Sequence, residues 1–438
     1  MTYQEATEYL FNQTPNYENQ GTGGYKEGLD NSIKLDEHFG HPHEHFRSIH
    51  IAGTNGKGSV SNLIAAELQV CGYRVGLYTS PHIVDFRERI RVNGVPVSED
   101  YVIKFVESEM DFLSSLNPTF FEITTAMAFK YFKDMDVDIA VVEVGLGGRL
   151  DCTNIITPIL SIITNISLDH TQLLGNSIEQ IAMEKGGIIK RGIPVVIGEA
   201  VPETRAVFNA LAEEAHAPII YAEDEQEIAS FEHLPEGGYH YKCKHLGDFE
   251  CELDGDFQPK NMNTLTVAMH VMVDIGYLAD CIEEDNRQKI SNEMNQAFKN
   301  VTKMTGLAAR WQTIRKNPRV VCDTGHNPGA WQYLGKQLEN VKCREMRIVF
   351  GLVEDKDIYT IMSFLPKNAT YFFTKGSTKR AFPETSLKIF GEQFGLKGEA
   401  YPTVEEAYNA AMEGATSEDF IFVGGSTYVV ADFLKSRI

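Results

Sequence analysis

The chain has 438 residues, of which 43% are hydrophobic and 23% charged, as is usual for a globular protein of two or three domains. Its formal net charge of −21 argues against nucleic acid or an anionic membrane as a partner, because both attract proteins through Lys and Arg. The seven cysteines are scattered without a C-x-x-C pair, no apolar run is long enough to span a membrane, and the N-terminus lacks a signal-peptide pattern, so we expect a cytoplasmic protein with reduced thiols.

The first fifty residues predict two helices, at 3–11 and 25–39, joined by a loop rich in Asn, Gly and Pro. Apolar strand patterns then alternate with helical patterns, which is typical of a parallel sheet covered by helices on both faces. The pair Asn93-Gly94 predicts a hairpin. The strand patterns lie at 47–52, 74–79, 138–144, 159–165 and 194–198, and the helical patterns at about 60–71, 99–115, 121–134 and 177–190.

Residues 219–257 are predicted to form short antiparallel strands, and a helix with Pro259 near its start follows them. A second alternation of strands and helices begins near residue 318. We therefore predict an α/β protein of two domains. Residues 1–302 carry a helical extension, a mostly parallel sheet and a small β-rich part, and residues 303–438 form a smaller α/β domain.

A glycine-rich loop, Gly53 to Ser59, follows the first predicted strand and opens a helix. It departs from the usual phosphate-loop pattern, because Ile51 stands where a glycine is expected and Gly58, not a hydroxyl residue, follows Lys57. The order strand, loop, helix still predicts a phosphate site, with backbone N–H groups and the helix N-terminus facing the anion. The alternative is a glycine-rich turn with an exposed lysine.

Further polar side chains follow the other predicted strands, at the edge where ligands bind in parallel sheets. Glu143 ends a strongly apolar run and is costly there unless it is paired with a lysine or bound to a cation such as Mg²⁺. Ser80 is equally compatible with an ordinary turn, His170 with a solvated loop and Lys185 with a capping charge at a helix end. In the second domain, Asp323, His326 and the nearby Arg310 occupy comparable positions, with ordinary structural roles as the alternative.

Together these segments resemble folylpolyglutamate synthase and the bifunctional dihydrofolate synthase/folylpolyglutamate synthase, the folate branch of the Mur ligase superfamily. The resemblance implies an N-terminal P-loop ATPase domain, a C-terminal Rossmann-like domain and a site between them. It also implies an amide ligation in which ATP phosphorylates a substrate carboxylate and the amine of L-glutamate displaces phosphate. The matching segments, in chain order, are "GTNGKGS", "YTSPH", "FRERI", "FFEITTAMAF", "VEVGLGGRLDCTN", "ITNISLDHTQLLG", "IAMEKGGIIK", "FQPKNMNTLTVA", "ARWQ" and "DTGHNP".

The resemblance also implies roles for individual residues. The catalytic candidates are Lys57, Lys185, Asp323 and His326. The ATP-binding candidates are Thr54, Asn55, Gly56, Lys57, Gly58, Ser59, Asn261, Arg310 and Asp323. The magnesium ligands are expected to be Ser80, Glu143, His170 and, if it is carbamylated, Lys185. Substrate contacts are expected from Arg149, Asp151, Cys152 and Ser426, the last of which is equally compatible with a helix N-cap.

Two departures from the family pattern and one displaced hydroxyl refine this interpretation. Cys152 stands where Ala or Ser is usual, and Thr324-Gly325 precede His326. Because Gly58 takes the place of the usual hydroxyl residue, we expect Ser59 to cap the helix and meet phosphate while Ser80 meets magnesium. The segment "GGRLD" and the glycine-rich loop at 21–24 favour a bifunctional enzyme over one restricted to polyglutamylation.

Two alternatives stay open from the sequence. One is a cell-wall Mur ligase, although that branch usually has a hydroxyl residue directly after the lysine and a separate domain for its UDP-linked substrate. The other is an ATPase switch that hydrolyses ATP without ligation. The resemblance to the folate branch implies small molecules as partners, namely ATP, L-glutamate and dihydropteroate or a reduced folate, and a monomer.

Overall fold

The computed structural model describes residues 1–12, 14, 15, 26, 28–278 and 287–437, so the glycine-rich loop at 21–24 lies outside the described residues. The first domain is built on an eight-stranded sheet. Its strands are β1 (Arg47–Ala52), β2 (Val75–Tyr78), β3 (Ile90–Val92), β4 (Val95–Pro96), β5 (Ile139–Glu143), β6 (Leu160–Ile163), β7 (Val195–Ile197) and β8 (Ile219–Tyr221).

The spatial order of this sheet is β4-β3-β2-β5-β1-β6-β7-β8. The six strands β2, β5, β1, β6, β7 and β8 run parallel to one another. The predicted hairpin at Asn93-Gly94 is confirmed, because β3 and β4 pair antiparallel around it. The prediction that 219–257 is antiparallel throughout is wrong at its start, since Ile219–Tyr221 is the parallel edge strand of the large sheet. A short apolar run does not reveal which partner strand it will meet.

A small β-rich part follows, made of three antiparallel strands in the order β11-β10-β9, and the helix with Pro259 near its start packs beside it. These strands are β9 (Ile228–His233), β10 (Tyr239–Cys243) and β11 (Phe249–Cys251). The α-helices that precede the second sheet are α1 (Tyr3–Asn12), α2 (Asp30–His38), α3 (Lys57–Val70), α4 (Glu99–Leu116), α5 (Phe120–Asp134), α6 (Thr171–Leu174), α7 (Ile178–Gly186), α8 (Pro202–Glu214), α9 (Ala222–Glu225), α10 (Gln258–Asp274), α11 (Arg287–Phe298) and α12 (Val301–Thr305).

Helix α3 lies in the middle of the first domain and is buried along most of its length, from Gly58 to Leu68. One side of it packs on β1, β2 and β5, and the other contacts α10, α11 and α12. This burial on both sides explains why the helix is rich in Val, Leu, Ile and Ala rather than amphipathic. The loop that starts α3 is therefore held by the core of the domain.

The second domain is a six-stranded sheet in the order β12-β13-β17-β14-β15-β16, parallel except for β12. Its strands are β12 (Gln312–Lys316), β13 (Arg319–Asp323), β14 (Met346–Phe350), β15 (Ala369–Phe373), β16 (Lys397–Ala400) and β17 (Phe420–Gly424). Its helices are α13 (Pro328–Asn340), α14 (Ile358–Ser363), α15 (Glu384–Gln393), α16 (Val404–Met412) and α17 (Thr427–Lys435). The predicted α/β architecture with mostly parallel sheets is thus confirmed.

The connection between the domains follows helix α12. Val301 belongs to the core around α3, and Met304 and Leu307 pack against that core, whereas β12 already belongs to the second sheet. The division at 302/303 stays a prediction a few residues upstream of this connection. The six cysteines among the described residues form no disulfide, and no described helix has the length and apolar character needed to cross a membrane.

Candidate active site

A cleft of about 410 Å³ lies between the two domains, at the carboxyl ends of strands from both sheets. Its walls carry more basic than acidic side chains, although the whole chain is strongly acidic. This local excess of positive charge suits an anionic ligand. The residues that line it include Thr54, Lys57, Ser80, Asp151, Cys152, Asp169, His170 and Lys185 of the first domain and His326, Lys356, Arg380 and Ser426 of the second.

The loop between β1 and α3 needs glycine at two positions. Gly53 and Gly56 have φ angles of 142° and 86°. A Cβ atom on Gly53 would lie 1.9 Å from Thr164 Oγ1, and one on Gly56 would lie 2.3 Å from Asn261 Oδ1. The backbone therefore passes directly against β6 and α10, and the helix begins at Lys57 with Gly56 as its N-cap. This is the tight strand–loop–helix turn that the sequence predicted.

Two buried lysines meet at this loop. Lys57 Nζ donates to the carbonyl oxygens of Gly53 and Thr54, at 3.0 and 3.2 Å, and Lys185 Nζ donates to Gly53 O at 2.9 Å. Burial lowers the pKa of both, that of Lys185 to about 7 with a further contribution from the charge of Lys57. Lys185 lies in the last turn of α7, as the capping interpretation required, but it is only 5% exposed and its ammonium group faces the loop.

Glu143 ends β5 beside the loop and is 2% exposed. Its Oε2 accepts a 3.4 Å hydrogen bond from the Ser80 N–H. Burial raises the pKa of Glu143, and the positive charges of Lys57 and Arg310 oppose that rise. The Arg310 guanidinium also approaches the loop, because a Cβ atom on Gly58 would lie 3.3 Å from its Nη2 and 3.8 Å from Glu143 Oε2. Ser80, Glu143 and Arg310 thus meet at the first turn of α3.

Asp169 is the centre of the contact between the domains. Its Oδ1 lies 2.5 Å from Lys356 Nζ, and its Oδ2 accepts from Asn327 Nδ2 at 2.9 Å and lies 3.6 Å from His326 Nε2. Burial would raise its pKa, but the neighbouring Lys356 ammonium and His326 hold the pKa of Asp169 well below its usual value. Burial lowers the pKa of His170 to about 3, so this imidazole is neutral.

A second contact between the domains starts at the glycine-rich loop itself. The side-chain amides of Asn55 and Asn327 exchange hydrogen bonds of 3.1 and 3.0 Å. Thr54 is fixed in turn by Ser167, whose N–H donates to Thr54 Oγ1 at 3.0 Å. The position of the second domain is therefore coupled to the loop expected to hold phosphate.

Asp323 holds a turn together in the second domain. Its carboxylate accepts hydrogen bonds from the N–H groups of Trp311 and Gly325, each at 2.7 Å. The adjacent Arg310 donates to Thr324 Oγ1 at 2.7 Å and extends toward Glu143. Asp323 is buried, and burial raises its pKa while Arg310 opposes the rise. In this structure Asp323 thus positions the segment that carries Arg310.

The expectation that Ser59 caps helix α3 is wrong. The N-cap is Gly56, no side chain caps this helix, and Ser59 is buried in its first turn. Its hydroxyl accepts a 3.4 Å hydrogen bond from Gln258 Nε2, and Gln258 Oε1 accepts from Asn261 at 3.0 Å. The glycines preceding Lys57 allow a left-handed N-cap, so the helix starts two residues before Ser59.

The four predicted substrate residues fall into two groups. Asp151 and Cys152 line the cleft, and Asp151 also accepts hydrogen bonds from the N–H groups of Thr153 and Leu146. Ser426 lines the cleft as the N-cap of α17, so the helix-cap interpretation is confirmed. Arg149 is instead 50% exposed and ion-paired with Glu184 at 2.8 Å, outside the residues that line the cleft.

One end of the cleft is apolar and aromatic. The rings of Phe11 and Phe120 stack with 4.5 Å between their centroids, and Phe121 and His82 line the same end. Burial raises the pKa of the nearby Cys152 thiol well above its usual value, so this cysteine is a neutral, small side chain. The cleft therefore offers aromatic rings in one part, where the Arg89 guanidinium lies 5.0 Å from the Phe120 ring centroid, and the lysines of the loop in another.

Comparison with known proteins agrees with this arrangement. Family models match for the Mur ligase middle domain over residues 51–269 and for the Mur ligase glutamate ligase domain over 309–427. The dihydrofolate synthase/folylpolyglutamate synthase of Bacillus subtilis is 32% identical over 424 residues, which cover 94% of this chain and 95% of that protein. The chain belongs to the folylpolyglutamate synthase family.

Solved structures of relatives support the same assignment. Escherichia coli FolC in complex with DHPP and ADP has a TM-score of 0.81 and 27% identity, covering 100% of this chain and 98% of that one. A bifunctional folylpolyglutamate synthase/dihydrofolate synthase with Mn, AMPPNP and L-glutamate bound has a TM-score of 0.79 and 26% identity, covering 100% and 98%. As a member of the folylpolyglutamate synthase family, the chain is an ATP-dependent, ADP-forming ligase.

For this folylpolyglutamate synthase family member, sequence reasoning missed three polar side chains of the second domain. Asn327 bonds to Asn55 and Asp169, Lys356 pairs with Asp169, and Arg380 lines the cleft. Lys356 and Arg380 follow β14 and β15, so the rule that ligands lie beyond strand ends could have found them. The contacts of Asn327 depend on how the domains meet, which no local pattern reveals.

Proposed function

We propose that this ligase joins L-glutamate both to dihydropteroate and to the γ-carboxylate of reduced folates. The observation that carries the proposal is the convergence of Lys57 and Lys185 of the phosphate loop with His326 and Lys356 of the second domain on one cleft. A nucleotide and an acidic co-substrate can meet there, while the aromatic end around Phe120 suits a flat pterin ring. The ligand sets of the related structures support the same substrates.

The proposed reaction activates a carboxylate and then exchanges phosphate for an amine. A carboxylate oxygen of the folate attacks the γ-phosphorus of ATP, which gives an acyl phosphate and ADP. The amine of glutamate attacks the acyl carbon, the C–O bond to phosphate breaks, and the amine loses a proton. Lys57 offsets charge on the transferring phosphoryl group, and water exclusion by the closed cleft protects the acyl phosphate from hydrolysis.

The residue roles follow the positions around the loop. We propose that Lys57, Lys185, Asp323 and His326 serve catalysis, with Asp323 acting through the turn that presents Arg310. We propose substrate contacts for Asp151, Cys152 and Ser426, which line the cleft. A substrate contact by Arg149, which is paired with Glu184, stays a prediction. The proposed ATP contacts are Thr54, Asn55, Gly56, Lys57, Gly58, Ser59, Asn261, Arg310 and Asp323.

The side chains near Glu143 fit a magnesium ion. Glu143 is a buried carboxylate at the first turn of α3, and Ser80 supplies a hydroxyl oxygen on the neighbouring strand end. Hard oxygen donors of this kind suit Mg²⁺, and the neutral imidazole of His170 is able to ligate a metal. When bound, Mg²⁺ offsets phosphate charge during phosphoryl transfer. We propose Ser80, Glu143 and His170 as the residues that hold it.

Lys185 is proposed to react with carbon dioxide to form a carbamate. Its pKa of about 7 leaves much of the amine neutral at physiological pH, and only the neutral amine attacks CO₂. The new N–C bond releases one proton and turns a cation into a carboxylate-like group beside the predicted metal ligands. Intact-mass measurement in bicarbonate, with Lys185→Arg as the control, tests this modification.

Three further proposals concern the whole chain. The division into an ATP-binding unit, 1–302, and a ligase unit, 303–438, is proposed from the two sheets. A monomer is proposed, because one chain supplies every residue of the proposed site. A cytoplasmic location is proposed from the substrates and from cysteines that form no disulfide among the described residues.

The function is tested by following ADP and glutamylated products with ATP, Mg²⁺ and L-glutamate present. Dihydropteroate and tetrahydrofolate are supplied in separate reactions, and Lys57→Ala serves as the inactive control. Product with both acceptors is expected. Product formed only with tetrahydrofolate would exclude dihydrofolate synthase activity. ADP release that does not depend on either acceptor or on glutamate would favour an ATPase switch.

A further inference from the structure

Three potential metal ligands converge in the β-rich part of the first domain. They are Glu227, which directly precedes β9, His245, which follows β10, and His270, near the end of α10. One ligand atom from each residue lies within 4.8 Å of the others. Because β9 and β10 are antiparallel, the start of one strand and the end of the other lie side by side, and α10 packs against β9.

The Glu227 carboxylate is fixed in its orientation by the backbone. Its Oε1 accepts hydrogen bonds from the N–H groups of His245 and Leu246, at 2.8 and 3.2 Å. Its Oε2 faces the two imidazoles, 2.8 Å from His245 Nδ1 and 3.4 Å from His270 Nε2. A carboxylate held in this way presents one oxygen toward the space between the two rings, as in metal sites with an ordered outer shell.

The position of His270 Nε2 is not explained by an ion pair between Glu227 and His245 alone. Its Nε2 is shielded from solvent and makes no hydrogen bond among the described residues, although it points toward Glu227. His245 Nδ1 engages Glu227 Oε2 at 2.8 Å and leaves His270 Nε2 at 3.4 Å from the same oxygen, an ion-pair distance without hydrogen-bond geometry. A buried polar atom without a hydrogen-bond partner is unusual in a folded protein and calls for a ligand.

We propose that Glu227, His245 and His270 bind a zinc ion. Three ligands at about 2.0–2.1 Å from a tetrahedral centre are separated by about 3.3 Å. The two distances from Glu227 Oε2, 2.8 and 3.4 Å, lie on either side of this value, and the two imidazole nitrogens lie within 4.8 Å of each other. Two imidazole nitrogens and one carboxylate oxygen are ligands that zinc prefers. His245 is 66% exposed, so the fourth position faces solvent and takes a water molecule.

The zinc ion ties the β9–β10 hairpin to helix α10. Asn261 in the first turn of the same helix contacts the phosphate loop, and nine residues separate it from His270. At the rise of an α-helix this is about 14 Å, so the zinc site is separate from the catalytic cleft. The ion acts as a structural cross-link that stabilises the part of the domain against which the phosphate loop is packed.

The test is direct titration of the metal-free full-length protein with Zn²⁺ in millimolar Mg²⁺ and saturating ADP, followed by calorimetry and by metal analysis after dialysis. One zinc ion per chain is expected. Glu227→Gln and His245→Ala should each weaken zinc binding by about 100-fold or more, because each removes one of three protein ligands. Zn²⁺ should raise the apparent melting temperature of the wild-type protein and of neither variant.

His240→Ala is the matched control. His240 lies on β10 beside two carboxylates, with Nε2 at 4.0 Å from Asp248 and Nδ1 at 3.9 Å from Glu250, but belongs to no three-ligand group in the part of the chain that the structure describes. Its zinc affinity should equal that of the wild-type protein. The proposal is overturned if the wild-type protein binds no zinc, if Glu227→Gln and His245→Ala bind it as tightly as the wild-type protein, or if His170→Ala alone abolishes binding. These readouts do not depend on ligase activity.

Discussion

The Asp169 carboxylate and the Lys356 ammonium group join the two domains across the cleft, with 2.5 Å between Oδ1 and Nζ. Both side chains are almost fully buried, 8% and 6% exposed, and Asn327 and His326 of the second domain approach the other carboxylate oxygen. A buried pair of this kind is costly to break, because removal of one partner leaves the other charge poorly compensated. The contact between the two domains therefore depends on this pair.

Lys356→Met should weaken both folding and catalysis. We expect the free energy of unfolding to fall by about 3 kcal/mol, because Asp169 loses its buried cation. We expect kcat/KM to fall about 100-fold, because the second domain no longer meets the phosphate loop correctly. Denaturant unfolding and steady-state ligation measure the two effects.

Lys316→Met is the control for this prediction. Lys316 also pairs across the domains, 2.9 Å from Glu236, but the two side chains are 78% and 86% exposed. Exposed pairs contribute little to stability, so no measurable change is expected. Equal losses in the two variants would mean that domain contact in general, and not the buried pair, sets the activity.

Gly56→Ala should weaken nucleotide binding, because the added Cβ atom changes the loop in addition to straining the backbone. Gly56 has a φ angle of 86°, and an added Cβ atom would meet Asn261 Oδ1 at 2.3 Å. Gly72, at the other end of the same helix, has a φ angle of 87° and nothing within 4 Å of such an atom. Both substitutions should cost about 1 kcal/mol of stability through the backbone, but only Gly56→Ala should lower ADP affinity, by about 10-fold or more.

Calorimetry with ADP, beside thermal unfolding, separates the two glycine variants. An unchanged ADP affinity in Gly56→Ala would show that the contact between the loop and Asn261 does not shape the nucleotide site. Comparable losses of affinity in Gly56→Ala and Gly72→Ala would assign the effect to helix α3 as a whole.

Glu143→Gln should lower the rate and shift the Mg²⁺ titration to higher concentration. The substitution keeps the size of the side chain but removes the buried negative charge that we propose as a metal ligand. A loss of about 100-fold in kcat at ordinary Mg²⁺ is expected if that ligand provides a few kcal/mol of charge stabilisation. Initial rates over a wide range of Mg²⁺ concentrations provide the measurement.

Glu184→Gln is a suitable comparison for Glu143→Gln. Glu184 is also a glutamate of the first domain, but it is partly exposed and paired with Arg149. Its Mg²⁺ titration should match that of the wild-type protein. If the Mg²⁺ titration of Glu143→Gln also matches that of the wild-type protein, Glu143 is not a metal ligand and another side chain takes that role.

The strand ends of the first domain were predictable because the loops that follow buried parallel strands must meet at one edge of the sheet. This placed Glu143 and the glycine-rich loop at one edge of the sheet, where the structure has them. The sequence did not reveal that Gly56 starts α3 early enough to leave Ser59 buried against Gln258. Nor did it reveal Asn55 bonded to Asn327, because these residues are 272 positions apart and meet only when the domains pack.

Glu67 predicts how the stability of the first domain depends on pH. It lies on α3, 1% exposed, and neither carboxylate oxygen has a hydrogen-bond partner among the described residues. Burial, together with the charge of Glu293 on α11, raises the pKa of Glu67 from 4.5 to about 8. The folded protein therefore holds a proton between these pH values that the unfolded chain has released. The stability linked to this group is complete below pH 4.5 and is lost as the pH rises through 8.

Glu67→Gln should remove that pH dependence, because an amide cannot ionise. From this one group we expect the wild-type protein to lose on the order of 4 kcal/mol of unfolding free energy between pH 5 and pH 9, and the variant to lose none of it. Urea unfolding at pH 5, 7 and 9 measures the difference, with the exposed Glu236→Gln as a control whose pH profile should follow the wild-type protein. If the profiles of Glu67→Gln and the wild-type protein run parallel, folding does not shift the pKa of Glu67, and its carboxylate is solvated or paired in the folded protein.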